Sequence, residues 1–214
     1  MQLIKIIENV IADVLTAIYQ PFWPSVVFSV LGMFAFLMIT DNTVQGGMGW
    51  KKAFHFWINK FKTSKDFRLV FCFLFYCSMI LFRTLLNRNM WMNPVSHVMG
   101  GWWIYTISPS TGERVLTTEC IENFLLFIPF ANILAEIIGR LKGSMTKSKM
   151  ICDVTRYVLI VSISIECLQL FLRVGTFQFS DMFYNTFGGN IGVIIYVLSR
   201  KGEVAKTYEK SSFI

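Results

Sequence analysis

An all-α polytopic membrane protein is the fold class this sequence predicts, a bundle of about five transmembrane helices with an N-terminal amphipathic interfacial helix. Three observations predict it. Charged residues make up only 15% of the 214 residues, against about 25% in soluble domains, which is too little to cover a water-facing surface. Aromatic residues reach 16%, with 21 Phe and 6 Trp, a composition suited to the interfacial belts of a bilayer. Apolar runs of roughly spanning length recur along the chain, which has a mean hydropathy of +0.54.

The elements follow in order. Over residues 1–18, Leu3, Ile4, Ile7, Val10, Ile11, Val14, Leu15 and Ile18 recur at helical spacing, while Lys5, Glu8, Asn9, Asp13 and Thr16 take the other face. Acidic residues in this stretch argue against a secretory signal, and an interfacial helix is expected, ended by Pro21 and Pro24. Five spans are then expected at 22–40, 67–86, 121–139, 151–172 and 182–198. Residues 50–61 place Trp50, Phe54, Trp57 and Phe61 on one face of a further interfacial helix among lysines. Around Pro94, Gly100 and Gly101, the aromatics Trp91, Trp102, Trp103 and Tyr105 suggest interfacial anchoring, with glycines that would permit a lid. Three regions result: 1–66 with the interfacial helix, first span and basic loop; 67–199 as a four-helix core; and 200–214 as a basic tail.

A net charge of +7 would raise the question of nucleic acid in a soluble protein. Here Lys51, Lys52, Lys60, Lys62, Lys65, Arg140, Lys142, Lys147, Lys149 and the tail lysines fall in alternate loops. The positive-inside rule accounts for them and predicts an external N-terminus and a cytoplasmic C-terminus, with no nucleic-acid partner. Five cysteines without a C-x-x-C pair, and two separated histidines, His55 and His97, give neither a disulfide frame nor a zinc site.

The polar residues of the spans gather towards the outer side of that topology. Arg83 and Asn87 close the second span, Glu119 and Asn123 open the third, Glu166, Gln169 and Arg173 climb the fourth, and Asp181 and Asn185 open the fifth. Each set keeps to one helix face. Any one amide reads as interhelical glue, and Arg83 has Glu166 as its simplest ion-pair partner. As a set, several ionisable groups at one depth mark a site. Glu166 and Asp181 suit acid and base roles, and Arg83 or Arg173 suits a phosphate. Asn123, Gln169, Asn185 and Glu119 complete the substrate-binding set. Gly188 and Gly192 form G-x-x-x-G with Gly189 beside them, which would draw Asp181 and Asn185 towards Glu166. Pro129 is expected to kink the third span or open its backbone ladder.

Three ordered blocks carry a family resemblance. Residues 122–130, from Glu122 through Asn123 and Pro129, resemble the N-x-x-L-F-x-P block of the VanZ-like family. Ser164, Glu166 and Gln169 resemble its S-x-x-E-x-x-Q helix, and Phe177, Asp181, Asn185, Thr186, Gly188 and Gly192 resemble its final block. Arg83 is similar to the arginine that closes the family's first core helix. The resemblance covers roughly residues 68–198. It implies a multi-pass protein of the bacterial plasma membrane linked to low-level resistance to the glycopeptide teicoplanin, with Arg83, Asn123, Glu166, Gln169, Asp181 and Asn185 at the family's polar positions. Gln178 and Ser180 stand where the family often has acids.

The expected function is an enzyme acting at the outer leaflet on a phosphate-containing lipid headgroup or lipid-linked envelope precursor. The alternative is a non-catalytic protein that binds or shields such a target, with a glycopeptide antibiotic as a further candidate partner. A transporter fits less well, since the cytoplasmic halves of the spans are mostly apolar. The carboxylates would accept a divalent cation, but no ligand spacing demands one, so the cofactor is unknown and no metal ligand is assigned.

Overall fold

The computed structural model describes residues 2–40, 49–86, 88, 90, 93–107, 112–143 and 145–211; Asn87 and Trp91 lie outside them. The chain folds as a helical bundle. Helix α1 spans Gln2–Thr40, α2 Trp50–Thr63, α3 Lys65–Leu81, α4 Glu119–Lys142, α5 Lys147–Leu172 and α6 Phe179–Ser211. A π-helical turn, Phe82–Leu86, continues α3. Three of these stretches are long and apolar enough to cross a membrane, Ile4–Thr40, Lys65–Leu86 and Glu119–Lys142. The other two expected spans fall on α5 and α6, helices of 26 and 33 residues that carry the buried polar side chains Ser162, Glu166, Gln169, Ser180, Asp181 and Asn185.

The first element differs from expectation. Pro21 and Pro24 lie inside α1, so the amphipathic leader and the first span are one helix of 39 residues. Each proline removes one N–H from the ladder, but in an apolar setting a continuous helix keeps all the neighbouring backbone groups paired. At 1.5 Å per residue α1 is roughly twice the thickness of a bilayer's hydrocarbon core. Its inner face is a stripe at four-residue spacing, Pro21, Ser25, Ser29, Met33 and Leu37, all buried. The Ser29 hydroxyl donates to the Ser25 carbonyl at 2.6 Å, which satisfies it without a partner helix. Along the leader, Ile4, Ile7, Ile11, Leu15 and Ile18 stay exposed.

Helix α2 turns its aromatic face inward. The Trp57 ring stacks with Phe34 of α1 and with Phe61, and meets Phe67 and Phe71 of α3 edge-on. Trp50, at its start, is exposed. Ser64 joins α2 to α3 and caps the latter by accepting the Phe67 N–H at 3.2 Å. Arg68 donates to the carbonyls of Phe61 and Lys62, both at 2.9 Å, and so holds the end of α2.

The tightest packing joins α6 to α4. A Cβ at Gly188 would run into the Phe124 carbonyl, and one at Gly192 into the Ile128 carbonyl, so these two glycines bring two backbones together. Gly189 instead faces Val158 of α5. The G-x-x-x-G stripe therefore docks on α4 rather than on the helix bearing Glu166. Phe127, Phe130, Ala131, Val154, Val158 and Val193 fill the core between the three helices. Pro129 lies within a helix that runs unbroken from Glu119 to Lys142.

One end of the bundle is held by exposed ion pairs: Arg140 joins Glu136 and Asp66, and Glu136 also meets Arg200. The other end is closed by residues 93–107 and 112–118, which contain an antiparallel ribbon, β1 Tyr105–Ile107 and β2 Arg114–Leu116, that sequence periodicity did not foretell.

Candidate functional site

The site lies at the ribbon end, where α3, α4, α5 and α6 converge. Glu166 is 1% exposed on α5, and its Oε2 accepts the backbone N–H of Gln178 at 2.8 Å. Asp181, in the first turn of α6, is 4% exposed. These carboxylates lie within electrostatic range of each other, and Glu119 at the start of α4 lies within range of both. Burying like charges together is unfavourable unless cations or hydrogen bonds offset it. Arg88 supplies one cation, within range of both buried carboxylates, and Arg83 supplies another near Asp181.

The amides line the same region. Asn123, one turn after Glu119, is buried and lies close enough to Asp181 to act on it, although its NH2 falls short of a well-formed hydrogen bond. Gln169, one turn after Glu166, donates to the Thr84 carbonyl at 2.9 Å. Thr84 belongs to the π-helical turn, where the altered ladder frees such a carbonyl for a neighbouring helix. Asn185 donates to the Ser162 hydroxyl at 2.9 Å. Gln169 Oε1 and Asn185 Oδ1 have no partner although buried. Native interiors rarely leave such atoms orphaned, and they mark a place that water or a ligand completes.

Arg83 departs from expectation. Its guanidinium pairs with Glu122 of α4, not with Glu166. The second Glu122 oxygen accepts the Thr118 hydroxyl at 2.6 Å. The reason is register: Glu122 lies on the face of α4 that meets the end of α3. Arg173 is the C-cap of α5 in a left-handed conformation, φ 54 and ψ 36, with an exposed side chain.

Sequence reasoning missed two charged members, Glu122 and Arg88. Glu122 adjoins Asn123, and an acid within an apolar helix was itself a signal. Arg88 sits in the sequence as one charge in the loop after the second expected span, with nothing to set it apart. It lies just beyond the π-helical turn that holds Arg83. Its guanidinium lies over Gly175, where a Cβ would be 3.3 Å from Nη1 and 3.8 Å from the Gln169 side chain.

The loop with the tryptophans is seated on this site. The Phe177 N–H donates to the Pro94 carbonyl and the Phe179 N–H to the Val98 carbonyl, both at 2.9 Å. Gly100, at φ +71, presses on Ser180 and Gln178; a Cβ there would overlap the Ser180 hydroxyl and approach Gln178 Oε1 to 2.7 Å. Tyr184 donates its hydroxyl to the Trp102 carbonyl, and the Trp102 ring meets Phe183 with centroids 5.5 Å apart. Trp103 stays 78% exposed. Gln178 and Ser180, the two departures from the family's acids, are thus buried between Glu166 and this loop, where Gln178 also donates to Thr176 at 2.7 Å. His97 is half-buried within the loop, and its carbonyl accepts the Gly100 N–H. Among the described residues, no group of three His, Cys, Asp or Glu side chains is arranged to hold a metal ion.

The model of the VanZ/LLP1 family matches residues 4–200, so the match takes in α1, which lay outside the resemblance read from the motifs. Protein VanZ of Enterococcus faecium is 31% identical over 83 residues, 39% of this chain and 47% of that protein. The aligned stretch thus spans about half the length of that relative. No solved structure matches the chain.

Proposed function

The chain belongs to the VanZ/LLP1 family of helical membrane proteins, and from that premise we propose that it acts at the outer leaflet on a phosphate-containing lipid headgroup or a lipid-linked envelope intermediate. The burial of Glu166 and Asp181 from two helices within range of each other carries this reading. One carboxylate takes a proton from water while the other, protonated, gives one to the leaving oxygen. The water oxygen attacks phosphorus, the phosphoester bond breaks, and the alcohol leaves neutral. Arg88 and Arg83 stabilise the charge on the phosphoryl oxygens. Asn123, Gln169 and Asn185 orient the headgroup through atoms that are otherwise unpartnered. The reading extends to low-level glycopeptide resistance through an altered outer-surface lipid.

A second reading, binding without turnover, draws on the Arg83–Glu122 pair and the Glu166 contact with Gln178, because groups already engaged favour a static cup. The experiment that separates them reconstitutes the protein with labelled phospholipids and lipid-linked precursors and follows headgroups by mass spectrometry. A product made by the wild type and lost in both Glu166→Gln and Asp181→Asn establishes turnover. No product across the panel, with metals and acceptors supplied, establishes the binding reading instead.

A further inference from the structure

Beside the carboxylate site, α1, α3 and α4 enclose a separate cleft of about 270 Å³. Its walls are apolar: Ala17 and Ile18 of α1, Met79 of α3, and Leu125, Leu126 and Pro129 of α4. Tyr76 adds a phenol, and the ion pair of Arg83 with Glu122 supplies the charged lining. We propose that this cleft holds one acyl chain of a membrane phospholipid whose phosphate rests against Arg83. The proposal rests on the lipid-headgroup reading above and adds how such a lipid is seated.

The charge favours this occupant. Glu122 is engaged twice, by Arg83 and by the Thr118 hydroxyl, and its side chain is only 8% exposed, whereas Arg83 keeps 22%. A guanidinium has five N–H donors, so one ion pair leaves capacity for a phosphate oxygen. A phosphate there adds the second negative charge that Arg83 attracts, and a neutral headgroup gains nothing comparable. The size argues the same way. The volume falls below the roughly 300–1,000 Å³ of drug-sized pockets, which suits a single chain rather than a whole lipid. Arg83 stands within electrostatic range of Asp181 as well, so the phosphate it holds is presented towards the buried carboxylates.

The test uses the full-length protein in vesicles of a phosphate-free galactolipid with a trace of phosphatidylglycerol bearing a diazirine in one acyl chain. Photolabelling is expected to concentrate on peptides containing Ala17, Leu125 and Leu126, above the lipid-exposed face of α5 at Leu159 and Ile163. It should fall about tenfold when the probe is a diacylglycerol with the same tail, the loss expected of one charge-assisted contact. Ala17→Trp, which fills the cleft from the α1 wall and leaves both charged residues in the chain, should abolish the excess, and Arg83→Gln should remove the preference for phosphate. Labelling spread evenly around the bundle, equal with both probes, or unchanged in a folded Ala17→Trp overturns the proposal. Headgroup release is followed in the same vesicles. Selective labelling without product counts against turnover and leaves the cleft standing, whereas wild-type product from an unlabelled Ala17→Trp removes the cleft and leaves turnover standing.

Discussion

Arg83 and Glu122 form an ion pair between the end of α3 and the first turns of α4, and the Thr118 hydroxyl donates to the carboxylate's other oxygen. The pair ties the π-helical turn to the helix that carries Asn123, so it sets the depth at which α3 and α4 meet. It also keeps the charge of Arg83 within electrostatic range of Asp181.

Breaking that pair should therefore be costly and non-additive. Glu122→Gln and Arg83→Gln are each expected to lower stability by about 2 kcal/mol, in the range for a charged group left without its partner. The double variant should lose no more than the worse single one, since each change removes the same interaction. Denaturant unfolding in detergent micelles measures all three. Losses that simply add would mean that the two residues act independently.

The glycines of α6 divide by what they face. Gly188→Ala and Gly192→Ala push a methyl group into carbonyls of α4, which cannot rotate away, whereas Gly189→Ala meets the Val158 side chain. All three should cost about 1–3 kcal/mol, the usual range for overpacking, because the buried, β-branched Val158 that a Cβ at Gly189 would meet at 2.6 Å has no free end to swing aside. A loss well below about 1 kcal/mol at Gly188 or Gly192 would contradict the docking of the stripe on α4.

Much of this was legible in the sequence, and the rest had physical reasons for being hidden. Glu166, Gln169, Asp181 and Asn185 stood out because ionisable and amide groups are rare in apolar helices, and helical spacing placed each set on one face. Pro21 and Pro24 misled because proline reads as a terminator in water, where an unpaired carbonyl is readily solvated, while an apolar setting rewards continuity. The partner of Arg83 was hidden because periodicity gives the face a residue occupies but not the register between two helices. The seating of the tryptophan loop was hidden as well, since it rests on backbone hydrogen bonds that no side-chain pattern announces.

That loop should open when its contact at Gly100 is disturbed. Gly100→Ala introduces a Cβ at φ +71 and drives it towards Ser180, so the loop must lift or strain. A cysteine placed at Ser180 in a cysteine-free background is buried with Gly100 intact. Its reaction with a water-soluble maleimide should accelerate several-fold once Gly100→Ala is added. An unchanged rate would show that the loop does not gate access to this position.

The same reagent tests which way the bundle faces. On intact cells, a membrane-impermeant maleimide is expected to label a cysteine at Arg114 in the ribbon and to spare one at Lys142, near the opposite end. The positive-inside distribution of Lys and Arg sets that expectation. The reverse pattern would turn the carboxylate site to the cytoplasm and remove the outer-leaflet reading.

Glu166→Gln separates a working carboxylate from a structural one. The substituted amide keeps an oxygen that accepts the Gln178 N–H, so the contact that orders the start of α6 survives. It also removes an ionisable carboxyl buried together with Asp181 and Glu119, and relieving the cost of burying it acts in favour of the folded state. A residue retained for chemistry at the expense of stability has this signature, in which the neutral variant is at least as stable as the wild type yet inactive. The variant is accordingly expected to unfold in micelles at or above the wild-type temperature while headgroup release disappears. A fall of several degrees together with retained release would make Glu166 a structural acceptor and shift the chemistry to Asp181 alone.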